Sequence, residues 1–145
     1  MYAKKERAKL EKALPEFVTE INSVDDDIFT WDCTLEGPSC SPYSGGKFVL
    51  RLKFPKQYPF KQPALVFRTK VYHPSVLQET GEVCGAVLGN WGPTLNAEHC
   101  LITVHSLLQS PQPDHPLEES IAQLLAKKPK EFEKNAKKYT KEYAK

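Results

Sequence analysis

Long apolar runs are missing from this chain, and so are the cysteine spacings of metal-binding modules. No stretch approaches the roughly 20 apolar residues that a bilayer-crossing helix needs, so no membrane partner is expected. The four cysteines, Cys33, Cys40, Cys84 and Cys100, form no CxxC pair and no Cys/His ligand pattern, which argues against zinc and against any metal site. The opening Met1–Tyr2–Ala3–Lys4–Lys5 runs into charge, not into the apolar core of a secretory signal. The thiols are therefore expected to be reduced, in the cytosol or nucleus. A net charge of +2 is too small to point to nucleic acid. Internal repeats, low-complexity tracts and linkers are absent too.

What is present fits one domain, residues 1–145, acting as a monomer. A chain of 145 residues buries a core without disulfides or metal. Tyr2 to Leu14 is charged and Ala-rich, with Leu10 and Leu14 four apart, and reads as a helix stopped at Pro15. The period then changes to two. Phe17, Thr19 and Ile21 alternate with Val18, Glu20 and Asn22; Phe29, Trp31, Cys33 and Leu35 alternate with Thr30, Asp32 and Thr34; Phe48, Leu50, Leu52 and Phe54 alternate with Val49, Arg51 and Lys53. With a shorter run at Leu65–Phe67, these predict half-buried strands of an antiparallel sheet, one face of which leaves Arg51 and Lys53 outward. From Val71 to Leu95 the pattern vanishes, and a loop of that length in a compact domain is expected to be functional. Asn96 then suits the N-cap of a helix burying Ala97, Cys100, Leu101, Val104, Leu107 and Leu108. A further helix carries Leu117, Ile121, Leu124 and Leu125. Pro129 opens the last, with Phe132, Ala136, Tyr139 and Tyr143 inward. Strands and helices are segregated, so the class is α+β: helix, meander, long loop, three helices.

The blocks Pro42–Tyr43–Ser44–Gly45–Gly46–Lys47–Phe48, Phe54 to Pro63, and Thr69–Lys70–Val71–Tyr72–His73–Pro74 come first in the order that matters. They are followed by Gly81–Glu82–Val83–Cys84, Trp91–Gly92–Pro93, Pro111 to Leu117, and Phe132–Glu133–Lys134–Asn135–Ala136. In order and spacing they resemble the ubiquitin-conjugating enzyme core over almost the whole chain. The resemblance implies the UBC fold: an N-terminal helix, a four-stranded meander and three further helices. It implies no cofactor. Ubiquitin or a ubiquitin-like modifier would be received from an activating enzyme as a thioester on Cys84 and passed on. Pro113–Asp114–His115–Pro116–Leu117 and Asn135–Ala136 are similar to the subgroup that hands its cargo to a cysteine on HECT or RBR ligases.

Cys84 has the surroundings an acyl carrier needs, with Gly81 and Gly85 keeping side-chain bulk low. Cys33 on an apolar strand face and Cys100 on a helix stripe read as inert core residues, and Cys40 sits in a turn. No cationic side chain adjoins Cys84. Exchange between a thioester and a thiol is nearly isoenergetic, so it needs positioning more than a strong base.

Delivery is where the sequence departs from the family pattern. Where the family has His-Pro-Asn, this chain has His73–Pro74–Ser75, and the loop from His73 to Cys84 is about a residue longer. The family Asn is associated with oxyanion or loop support, and losing one such donor costs roughly 100–1000-fold. Family acids just after the cysteine and in the Pro-rich loop are matched by Ala86 and His115. A lysine of pKa about 10.4 is neutral only about 0.04% of the time at pH 7, whereas a thiol of pKa about 8.5 needs less help. The expected acceptor is therefore a ligase cysteine. His73 is expected to be structural and His115 a gate or a solvated loop residue. Phe60 and Pro93 match ligase-contact positions, the lesser alternative for Phe60 being a ring tucked into the core. Lys4, Lys5 and Arg7 are expected to help bind the activating enzyme or ligase, and Trp91 to pack inward. Two rivals remain: a catalytically impaired variant that scaffolds ubiquitin or a ligase, and an unrelated thiol hydrolase using His73 or His115 as base.

Overall fold

The computed structural model describes residues 2–114 and 116–145, the side chains of residues 2–4 excepted. His115 and the side chain of Lys4 therefore lie outside the described residues. Among those described, the order is α1 (Tyr2–Lys12), β1 (Val18–Val24), β2 (Asp27–Glu36), β3 (Lys47–Lys53), β4 (Ala64–Phe67), α2 (Ala97–Gln109), α3 (Glu119–Lys127) and α4 (Pro129–Tyr143). The strands form an antiparallel meander, β1-β2-β3-β4.

Alternation explains β2 and β3 directly. Trp31, Cys33 and Leu35 pair with Leu52, Leu50 and Phe48, and all six are buried on one face. On the opposite face Asp32 sits across from Arg51, which it holds by two bonds of 2.8 and 3.1 Å. Arg51 is thus half-buried, while Lys53 is exposed.

The first strand departs from simple alternation. Val18 and Ile21 are its buried residues, one from each of the two alternating sets. The register slips between Val18 and Glu20, so Thr19 is an extra residue against β2. Such a bulge moves the inward side by one position. Phe17 precedes the strand and stacks on His105 with ring centroids 4.0 Å apart.

The inner sheet face packs against Cys100, Leu101, Val104 and Leu108 of α2 and Phe132 and Ala136 of α4. Asn96 caps α2, its side chain accepting from the His99 N–H at 2.9 Å. Pro129 opens α4. Two helical expectations are corrected. Leu117 lies outside α3 and is 36% exposed, because its N–H and that of Glu118 both go to the Pro74 carbonyl. Tyr143 is 41% exposed, with the Lys70 ammonium 4.9 Å from its ring centre. Its outward place follows from the helix reaching its end there.

Candidate active site

The segment from His73 to Cys84 begins at a fixed post. The His73 ring is fully buried, its Nδ1 accepting from the Ser75 N–H at 3.0 Å and its Nε2 lying 2.9 Å from the Leu107 carbonyl. That pairing selects the neutral tautomer with hydrogen on Nε2. Burial pushes the imidazole pKa down to about 4, against the opposing pull of the Leu107 bond. With both nitrogens engaged, the His73 ring has no free lone pair with which to take a proton from a thiol.

From this post the chain folds back as a small hairpin. The Val76 and Val83 backbones bridge, the Leu77 N–H donates to Glu82 O at 2.9 Å, and the Gly81 N–H donates to Leu77 O at 2.7 Å. The returning arm joins the outer edge of β4: Phe67 N–H donates to Gly81 O at 2.7 Å and Val83 N–H to Leu65 O at 3.0 Å. Gly81 has φ +83°, and a Cβ there would lie 2.0 Å from the Phe67 carbonyl oxygen, so only glycine fits. The loop expected from residues 71–95 is thus in part an extension of the sheet. Val76, Leu77 and Val83 flanking a Thr80–Gly81 turn are the signal that would have revealed it.

Cys84 follows as the next residue. Its N–H donates to the Ser75 carbonyl at 2.9 Å, which ties the thiol-bearing backbone to the His73 post. Its side chain is half-buried, and beyond it a single 3-10 turn, Gly85–Leu88, is anchored by buried Leu88. Ala86 is exposed and brings no carboxylate. Ser75 is buried, with its hydroxyl 3.5 Å from the Asp114 carbonyl. Asp114, Leu117 and Glu118, before α3, are therefore held against this hairpin, the last two by the Pro74 carbonyl and Glu118 also by the Gln78 N–H donating to its carboxylate at 2.9 Å. Glu118 did not stand out in the sequence, and Asp114 did so only as part of the Pro113–Leu117 motif.

The other thiols separate cleanly. Cys33 and Cys100 are fully buried, and burial pushes both up to about 12, with Asp32 adding to the shift at Cys33 and Glu6 to that at Cys100. Cys40 is exposed in a turn at φ +64°.

Phe60 is 74% exposed at the tip of a compact loop that includes a cis Tyr58–Pro59 bond. Trp91 donates its Nε1–H to the Pro59 carbonyl at 2.7 Å, joining this loop to the one that presents exposed Pro93. Glu6, unnoticed in the sequence, accepts from the Tyr58 hydroxyl at 2.6 Å and from the Ala97 N–H, so one carboxylate links α1, the Phe60 loop and the start of α2. Lys5 is exposed. The Arg7 guanidinium turns inward along α1, donating to Glu11, to the Ser23 hydroxyl and to the Ile21 carbonyl. It braces α1 on β1.

Comparison with known proteins agrees with this architecture. The family model described as ubiquitin-conjugating enzyme matches residues 2–140. Ubiquitin conjugating enzyme E2 B of Dictyostelium discoideum is 43% identical over 122 residues, covering 84% of this chain and 82% of its own length. The solved E2 domain of a Toxoplasma gondii ubiquitin conjugating enzyme superposes with a TM-score of 0.89 at 30% identity, covering 99% of this chain and 97% of that one. A structure from Plasmodium yoelii gives 0.90 at 33% identity over 99% and 93%. With the sheet, the four helices and nearly the full length accounted for, the chain belongs to the ubiquitin-conjugating enzymes, a family of thioester-forming transferases that work with ubiquitin and an activating enzyme.

Proposed function

We propose that Cys84 carries the modifier, ubiquitin or a ubiquitin-like protein, and that its preferred acceptor is a cysteine of a HECT- or RBR-type ligase. In the loading step the Cys84 thiolate attacks the thioester carbonyl on the activating enzyme. A new C–S bond forms at Cys84, the old one breaks, and the activating enzyme's thiol is released. Delivery repeats the exchange, with the ligase thiolate attacking and the Cys84 thiolate leaving. No redox partner enters either step.

The observation that carries the reading is the site's contrast between support and polarity. The Cys84 backbone is fastened to Ser75 and follows a hairpin arm bridged to β4, while exposed Ala86 offers no carboxylate and the Ser75 hydroxyl faces the Asp114 carbonyl. Such a site presents an acyl group rigidly but does little to strip a proton from an incoming lysine. A thiol acceptor is less dependent on that help. Phe60 and Pro93, both exposed, are the proposed ligase contacts, with Lys5 and Lys4 on α1 as added contacts for the activating enzyme.

The test is to load the chain with activating enzyme, ATP and a panel of modifiers, then chase with free cysteine or free lysine. Rapid loss of the thioester to cysteine with slow loss to lysine is expected. Comparable rates would overturn the acceptor preference. An adduct that persists in a Cys84→Ala chain would overturn the site, and failure to load with every modifier would favour the scaffold.

A further inference from the structure

Gly85 presents a physical problem that the fold must solve. It directly follows the reacting residue, is exposed, and as glycine rotates freely about φ and ψ. Rotation there re-aims the Cys84 sulfur relative to the turn that follows. The turn's closures include the Val87 N–H to Cys84 O at 3.2 Å and the Gly89 N–H to Ala86 O at 3.0 Å, both made by backbone alone. One outside restraint is present. The Gln62 side-chain amide donates to the Gly85 carbonyl at 3.1 Å, and among the described residues it is the one side chain hydrogen-bonded to the Gly85–Leu88 turn. The approach is close: a Cβ on Gly85 would meet Gln62 Nε2 at 3.0 Å.

The base of this restraint is firm. Gln62 lies between Phe60 and buried Pro63, in a loop closed by Tyr58 N–H to Pro55 O at 3.0 Å and Phe60 N–H to Gln57 O at 2.7 Å. Trp91 adds its bond to Pro59. The loop that displays the exposed Phe60 ring thus also holds the peptide beside the thiol.

We propose that Gln62 is a positioning residue for thioester transfer, fixing the Gly85 peptide so that the acyl group on Cys84 stays in line with an incoming thiol. It touches no reacting atom. Its action is to remove a rotational freedom before the encounter, which lowers the barrier of the exchange and leaves the chemistry unchanged. The proposal rests on Cys84 as the carrier, but not on the class of ligase.

The experiment compares Gln62→Ala, Gln62→Glu and Gln62→Lys with the unsubstituted chain in single-turnover discharge from pre-loaded Cys84 to free cysteine. Glutamate keeps the shape of glutamine but has no donor for the Gly85 carbonyl, whereas lysine is a different shape that keeps one. Discharge is expected to fall about three- to tenfold for Ala and Glu, the scale of one lost hydrogen bond, and to recover to within about twofold for Lys. With a cysteine-accepting ligase, the maximal rate should fall while the half-saturating ligase concentration stays put. Wild-type discharge in Gln62→Glu would overturn the proposal, as would a Lys variant no better than Ala, or a loss confined to half-saturation. Failure of the unsubstituted chain itself to load would instead strike the Cys84 assignment, so the two failures are distinct.

Discussion

The two sides of Cys84 are built on opposite plans. Upstream, His73, Pro74, Ser75 and Val76 are all buried, and the His73 ring has a partner on each nitrogen. Downstream, Gly85, Ala86, Gly89 and Asn90 are exposed, and Leu88 is the one buried anchor of the 3-10 turn. Under the role proposed for Cys84, the contrast lets one short segment meet two demands. An acyl carrier needs its sulfur fixed to the fold, yet open to two large partners in turn. Rigid chemistry-free support on one side leaves the other side bare for docking.

The largest effect should come from removing the sulfur. Cys84→Ala should abolish the thiol-sensitive adduct entirely, whereas Cys40→Ala should load normally, as a gel-shift assay would show. Alkylation sharpens the point. Iodoacetamide should label Cys84 and Cys40 in the native chain and leave Cys33 and Cys100 until unfolding, since burial both hides them and pushes their thiols up to about 12. Mass spectrometry before and after urea reads this directly.

Next in size is the upstream support itself. Gly81→Ala would place a Cβ 2.0 Å from the Phe67 carbonyl oxygen at φ +83°, which the hairpin cannot absorb without leaving β4. A loss of about 3 kcal/mol in urea unfolding is expected. Acid should act on the same wall through His73. Burial lowers its pKa from 6.5 to about 4, so between these values the unfolded chain takes up a proton that the folded one refuses. Stability from this group is complete above pH 6.5 and lost as pH falls to about 4, by roughly 3 kcal/mol at most. The urea midpoint of a His73→Gln chain should be flatter across that window. An equal slope in both chains would place the acid sensitivity elsewhere.

Periodicity made most of this scaffold legible. The Trp31–Cys33–Leu35 and Phe48–Leu50–Leu52 faces, the Asn96 cap and the Pro129 start could each be read from local pattern, because each is decided by residues a few positions apart. What escaped was decided by partners distant in sequence. The bulge at Thr19 depends on register with β2; the late start of α3 depends on the Pro74 carbonyl. At the candidate site, Cys84 and Ser75 are proposed from resemblance to family motifs, but Gln62, Glu6 and Glu118 act across 23, 91 and 40 residues of chain. Side chains that bond to backbone at that range leave no periodic trace. Arg7 teaches the converse: its place in a basic cluster pointed outward to partners, while its guanidinium braces α1 on β1.

The smallest effect tests the bare side. Ala86 is exposed two residues past the thiol, on the part of the turn that carries no carboxylate. Ala86→Asp should put an anion where an attacking lysine ammonium arrives, and an exposed pair of this kind is worth up to about 1 kcal/mol. The gain in discharge onto free lysine should accordingly be no more than about fivefold, and it should shrink with added salt as the charges are screened. Discharge onto free cysteine should be unchanged or slightly slower, since a thiolate gains nothing from a neighbouring anion. The ratio of the two rates, measured at low and high ionic strength, isolates electrostatic guidance from any change in the shape of the turn. A salt-independent rise for both acceptors would mean that the substitution had loosened the Gly85–Leu88 turn, and that the bareness downstream of Cys84 serves geometry instead of acceptor choice.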